Sequence, residues 1–422
     1  MKYLHYLCIL LCLSHFCISQ NTEYSRRIIT ALASEAFHGR GCVNEGDKKA
    51  GTFIKKEMEE SGLLKFGNNY FQTFNISVNT IRSKILLQIN RTFLKPGTDF
   101  VIDGSSPSCK GIYGIARIDK NILKNHEKLQ SFFCQDFSGG YLLVDMKGIE
   151  NKETIEKMDA IIKLNLFMAR GIIVITDDEP AFNVSGYVRK SPVIYIKRDK
   201  LPEDADLINI NFENHFFEHY ETQNITGYLK GQRDEYIVLA AHYDHLGRMG
   251  ARTYFPGAND NACGTAMLLD LAKYYQKSKT VPLNSIIFLH LGAEELRMAG
   301  ASYFLTNPPV SLDKIKMVIN LDETGTGKYG LKVINGTVFR KAFNFLTNIN
   351  KKNKYLAKVI AYPECNRYSH YSFYKKEIPA VTFMTMNTLS SRHTVKDTPE
   401  LLPMTAYAGT FKLIRDFVEQ YN

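Results

Sequence analysis

The spacing of apolar and polar positions changes character twice along the chain. Near the start, "YSRRIITALASEAF" and "EGDKKAGTFIKKEMEESGL" predict two helices. In the second, Ala50, Phe53, Ile54 and Met58 recur at helical spacing and Gly62 ends the pattern. From about Phe71 to Glu213 the rhythm shortens to β-type runs separated by turns, "KILLQI", "GGYLLVDM", "GIIVIT" and "SPVIYIK", with one helix predicted around Thr154 to Ala169. After Asn224 it becomes strand, loop, helix. "EYIVLAAHYD", "SIIFLHLGA", "IKMVINLD" and "PAVTFMTM" read as buried strands, and "DNACGTAMLLDLAKYYQ" as a helix buried through Met267, Leu268, Leu271, Ala272 and Tyr275. Such alternation predicts an α/β fold, a largely parallel sheet between helix layers, with a smaller β-rich α/β module ahead of it. In sheets of this kind ligands gather at the carboxyl ends of the strands.

Composition narrows the setting. A chain of 422 residues, 45% hydrophobic and 23% charged, is long enough for two domains and ordinary for a globular protein. The opening "MKYLHYLCILLCLSHFCISQ" has the basic start, short apolar stretch and small residues of a cleavable leader, with cleavage expected near Ser19. His5, Ser14 and His15 interrupt it too soon for a membrane span, and His15 and Phe16 before Cys17 do not suit a lipid anchor. A secreted or periplasmic protein without a membrane anchor is therefore expected. Losing residues 1–19 removes Lys2 and no acid, so 52 bases face 43 acids, and the excess is scattered. The nearest approach to a basic run, Lys351-Lys352 with Lys354, reads as a solvated helix end. No Arg and Lys stripe interleaves with aromatics, which argues against nucleic acid. The remaining cysteines, Cys42, Cys109, Cys134, Cys263 and Cys365, are odd in number, so at least one thiol stays free; Cys109 and Cys134 are near enough to pair in an oxidising compartment.

The polar residues at strand ends carry the chemistry. His242 closes one strand with Asp244 two residues on, a spacing that lets a carboxylate orient an imidazole and leaves its other nitrogen for a metal. Asp260 precedes the buried helix, flanked by Gly257, Ala258, Ala262 and Gly264; by itself it reads as an N-cap. Glu294 and Glu295 follow "IIFLHLGA", and a strand continued through both would turn one carboxylate into the core, where it needs a counter-charge. Asp322 ends "VINLD", and His393 follows the last strand. Singly, each has an ordinary structural explanation. As a set, His242, Asp260, Glu295, Asp322 and His393 form a mixed nitrogen and oxygen donor group suited to zinc, in which one carboxylate can bridge two ions.

"AAHYDHLG", "GANDNACGTAMLLDLA", "HLGAEELRMAGASYF", "INLDETG" and "RHTVKDT", in this order, resemble the co-catalytic di-zinc aminopeptidases, a superfamily that includes bacterial leucyl aminopeptidase, glutamate carboxypeptidase II and the glutaminyl cyclases. The resemblance implies a three-layer αβα zinc-peptidase domain at 20–97 and 214–422 with a mixed, largely parallel sheet, and a protease-associated-like insert at 98–213. It implies two zinc ions, one held by His242 and Asp322, the other by Glu295 and His393, with Asp260 bridging. Asp244 would orient His242, and Glu294 would be the general base for hydrolysis of peptide substrates by a water that the two cations acidify from its bulk pKa of about 15.7. Two departures stand out. Family members carry Ser-Asp-His where this chain has Tyr368-Ser369-His370, leaving His370 either an oxyanion donor or a surface histidine. The residue after the aspartate ligand, commonly apolar, is Glu323, expected to face solvent with capture of a substrate ammonium as the alternative. The rival readings are a glutaminyl cyclase-like acyltransferase and an inactive binding protein of the same fold.

Overall fold

The four apolar runs after Asn224 become the centre of a ten-stranded sheet because each is covered on both faces. In the computed structural model, which describes residues 22–386 and 391–421, they are the strands Arg233–His242, Asn284–Leu291, Ile315–Leu321 and Ala380–Thr385. All four run parallel, in the spatial order second, first, third, fourth. Every residue of Asn284–Leu291 and of Ala380–Thr385 is buried, as expected of strands with no solvent face. Alternate residues serve opposite layers. Ile237, Leu239 and Ala241 pack with helices Thr22–Leu32, Gly46–Glu60, Cys263–Ser278 and Tyr407–Gln420, whereas Val238 and Ala240 pack with Ala299–Thr306 and His370–Tyr374. The result is the expected three-layer domain.

Outside this parallel core lies an antiparallel pair, Phe71–Ile81 with Asn214–Leu229, registered from Phe71 opposite Ile225 to Ile81 opposite Asn214. The chain between its ends forms a second, eight-stranded sheet. The parallel strands Cys109–Ile118, Tyr141–Val144, Gly171–Thr176 and Val193–Lys197 make up its middle. The hairpin Leu86–Ile89 and Thr92–Phe93 joins its edge, so this sheet draws in residues upstream of 98. The helix expected over 154–169 is Lys152–Leu164. Asn151 caps its start by accepting from the Thr154 amide, and Asn165, in the left-handed conformation, ends it early.

The two sheets share a core in which Ile81, Leu246, Met249 and Phe255 pack with Ile102, Ile173, Phe182 and Ile194; the Phe182 and Phe255 rings stack at 4.7 Å. Cys109 and Cys134 are both free, which corrects the pairing their spacing allowed. Cys109 is buried in the sheet, 3.1 Å from the Tyr141 hydroxyl, while Cys134 is exposed at the end of the helix His126–Phe133. The leader expected at 1–19 lies outside the described residues. Among the described residues no helix is long and apolar enough to cross a membrane.

Candidate metal centre

At the carboxyl ends of the four parallel strands the backbone turns sharply, and three of the turns use non-glycine residues in the left-handed region: Ala293 (φ 52°), Glu323 (φ 45°) and His393 (φ 62°). Such a conformation costs on the order of 1–3 kcal/mol per residue and persists where the surroundings enforce it. The enforcement is visible. The Asp244 carboxylate accepts from the amides of Glu294 (3.0 Å) and Glu295 (3.3 Å), fixing the turn that carries both acids. The Asp397 carboxylate accepts from the amides of Asn259 (2.8 Å) and Asp260 (3.0 Å). From below, the fully buried Arg40 donates to the carbonyls of Leu32, Tyr243, Pro256 and Gly257 at 2.6–2.9 Å, tying the first helix to the Asp260 loop.

These turns bring the five expected donors together. His242 Nε2 lies 3.3 Å from Asp260 Oδ1 and 3.8 Å from Asp322 Oδ1. His393 Nε2 lies 3.1 Å from Asp260 Oδ2 and 3.3 Å from Glu295 Oε1. Asp260 thus presents one oxygen to each side, and its side chain does not cap the following helix, whose N-cap is Ala262. Tetrahedral coordination with bonds near 2.0–2.1 Å sets ligand atoms about 3.3 Å apart, so the spacing suits a cation on either side of Asp260. Both oxygens of Asp260, Oδ1 of Asp322 and Nε2 of His393 are buried without a hydrogen-bond partner. Orphaned buried polar atoms are costly, and a cation would satisfy them together. The donor set and its spacing therefore fit zinc.

The charge balance points the same way. Burial disfavours the His242 imidazolium, yet Glu294, Asp244, Asp260 and Asp322 outweigh it and hold the pKa well above the ordinary imidazole value. His393 is pushed up to about 10, burial being overcome by Glu295 and Asp260. Burial would raise Asp260, but His242, His393 and Arg392 draw it well below the usual carboxylate range. Glu294 goes the other way: burial, with repulsion from Glu295, Asp322 and Asp244, prevails over His242 and raises its proton affinity strongly. These acids favour positive charge on the two histidines, and a bound cation would take the place of their protons.

Several side chains depart from expectation. Glu323 does not face solvent: it is 3% exposed, with Oε1 3.1 Å from Arg392 Nε, and burial together with Asp260 and Asp322 raises its pKa to about 8. The reversal has a simple cause, since the left-handed turn at Glu323 keeps its side chain on the cluster side, where Arg392 meets it. His370 is no surface residue but fully buried, with Nδ1 2.8 Å from the Thr382 hydroxyl and Nε2 unpartnered. Asp244 reaches His242 mainly through its backbone: the carbonyl is 3.1 Å from Nδ1 and the carboxylate 3.7 Å. His245, passed over in the sequence, stands 3.1 Å from Glu295 Oε1 and forms with Asp260 and Glu295 a second potential metal-holding triad beside His242, Asp260 and Asp322. Its signal was the repeated histidine in "HYDHLG". Arg392 opens the motif "RHTVKDT" but was given no role there; it bridges Asp260 (3.2 Å) and Glu323.

A cleft of about 820 Å³ opens beside the cluster, with Glu295, Leu296 and Arg297 on one wall and Met146, Tyr187, Arg189 and Tyr195 of the second unit on the other. Residues 224–418 match peptidase family M28. This stretch belongs to that family. The M28 region contains His242, Asp260, Glu294, Glu295, Asp322 and His393, and the kinship expected from the motifs holds. The chain is 29% identical to aminopeptidase YwaD of Bacillus subtilis over 316 residues, 72% of this chain and 64% of that protein. It is 28% identical to leucine aminopeptidase 1 of Trichophyton rubrum over 137 residues, 30% of this chain and 36% of that one. The fold superposes on BSAP, a zinc aminopeptidase from Bacillus subtilis, with TM-score 0.71 at 20% identity, covering 95% of each chain. A peptidase M28 precursor from Shewanella amazonensis gives 0.69 at 17% identity, covering 95% of this chain and 93% of that one.

Proposed function

We propose that the protein is a secreted di-zinc aminopeptidase, hydrolysing residues from the N termini of peptides. The observation that carries this reading is Asp260, which offers one unsatisfied oxygen to His242 and the other to His393. His242 and Asp322 would hold one zinc, Glu295 and His393 the other, and Asp260 both, with His245 beside Glu295. When bound, the ions would polarise the scissile carbonyl and acidify water. The remaining work falls to the chain. Glu294, whose burial and acidic neighbours strengthen it as a base, accepts as the carboxylate the proton of the attacking water and delivers it to the departing amine, which cannot leave unprotonated. Asp244 keeps Glu294 and Glu295 in place through their amides. The cleft between the two units would give a peptide its approach, and the eight-stranded unit would be the protease-associated-like insert. Secretion rests on the leader-like residues 1–19.

The test combines metal analysis with hydrolysis of an aminoacyl-nitroanilide. Two zinc ions per chain and activity abolished by chelator are expected. One zinc with ammonia release from a glutaminyl peptide would replace this reading with a cyclase, and neither activity would leave a binding protein.

A further inference from the structure

We propose that Glu323 anchors the α-ammonium group of the substrate and so restricts the site to free N termini. The inference rests on the peptidase reading and concerns what that site selects. Glu323 is 3% exposed, and its two oxygens are treated differently: Oε1 meets Arg392 Nε at 3.1 Å, whereas Oε2 is buried with no hydrogen-bond partner. The same Arg392 nitrogen is 3.2 Å from Asp260 Oδ2, so the Glu323 carboxyl is fixed against the residue at the heart of the cluster. The Arg392 contact leaves Asp260 Oδ2 without a hydrogen bond, and Glu323 Oε2 has none either. A carboxylate left in this state invites a cationic donor, because an unmet buried acceptor is far costlier than a bonded one.

Charge and distance both select the ammonium. Asp260, Glu295, Asp322 and Glu323 all act on the Arg392 guanidinium, and Lys332 is the other cation facing Glu323, so an ammonium beside Glu323 meets more carboxylates than cations. In an N-terminal residue the nitrogen lies only about 2.5 Å from the carbonyl carbon under attack. Its anchor must therefore border the residues that act on that carbonyl, and Glu323 directly follows Asp322. A site for a C-terminal carboxylate would instead need a free cation here, whereas Arg392 is already held by Asp260 and Glu323. The backbone gives further support. Glu323 sits at φ 45°, its carbonyl accepting from the Thr385 hydroxyl at 2.7 Å, in a conformation glycine would adopt without strain.

Two measurements test the proposal. In the unaltered enzyme, L-leucinamide should inhibit hydrolysis of leucyl-nitroanilide and 4-methylpentanamide, the same molecule without the amine, should not; equal inhibition overturns the proposal. In Glu323→Gln, leucinamide binding measured by calorimetry should weaken about 10- to 100-fold, the magnitude of a hydrogen bond to a charged group. KM should rise with it, while zinc content stays unchanged and preference over the amine-free compound shrinks. Unchanged binding overturns the idea, as does parallel loss of zinc, which would make Glu323 a support of the metal cluster. A defect confined to lysyl substrates overturns it too, because the carboxylate would then select a basic side chain. If the unaltered enzyme hydrolyses no aminoacyl substrate, the peptidase reading itself has failed; if it does and only these contrasts are missing, the anchor alone has.

Discussion

The molecule contains two mixed sheets whose central parallel strands end in acids, and the two treat those acids in opposite ways. In the eight-stranded sheet, Asp145 follows Tyr141–Val144 and Asp177 follows Gly171–Thr176, and Arg198 reaches both, bonding Asp145 through two nitrogens at 3.0 and 3.1 Å. Glu179 close by is met by Lys197 and Lys396, each at 2.8 Å. Burial would raise Asp145, but Arg198 prevails and holds it below its ordinary value. In the ten-stranded sheet the corresponding acids face histidines and one another, with a single arginine shared between two of them. A carboxylate at a strand end is therefore no sign of a metal. The sign is a group of such carboxylates for which the chain provides too few cations.

This contrast can be broken by mutation. The largest effect is expected from Glu294→Gln, which would remove the proposed proton carrier and spare the proposed metal-holding side chains: turnover should fall about 10²- to 10⁴-fold with zinc content unchanged. Near-normal turnover would exclude Glu294 as the base. Next comes Asp244→Asn, which weakens the brace beneath Glu294 and Glu295. Zinc affinity, measured by competition with a chelator, should drop about 10- to 100-fold, as for other residues that orient metal ligands. The smallest effect belongs to the other sheet. Asp145→Asn should cost about 1 kcal/mol of stability by denaturant titration and leave hydrolysis untouched, since a partly exposed ion pair contributes little. A loss of activity there would mean that the second unit governs the site.

The parallel strands, and the five polar side chains that gather at their ends, were legible in the sequence for a physical reason. Strands covered on both faces must be apolar throughout, so the first polar residue after each run marks the place where ligands gather, as His242 and Asp322 do. The long pair Phe71–Ile81 and Asn214–Leu229 was not legible, because partly exposed strands such as "NHFFEHYETQNITGYL" mix polar and apolar residues without a continuous run. Glu323 was misjudged because its surroundings depend on Arg392, 69 positions later, which no local pattern connects to it. Arg40 was equally invisible, since its partners are backbone carbonyls, identical for every residue type.

The rung that pairs Ile81 with Asn214 has a lasting consequence. Chain leaving and re-entering a structure at neighbouring points is a cassette: it can lengthen, shrink or be exchanged across lineages without altering how the host sheet is threaded. Its departure would still uncover Leu246, Met249 and Phe255, so any shortened descendant would have to recolour that patch with polar side chains before it could remain soluble.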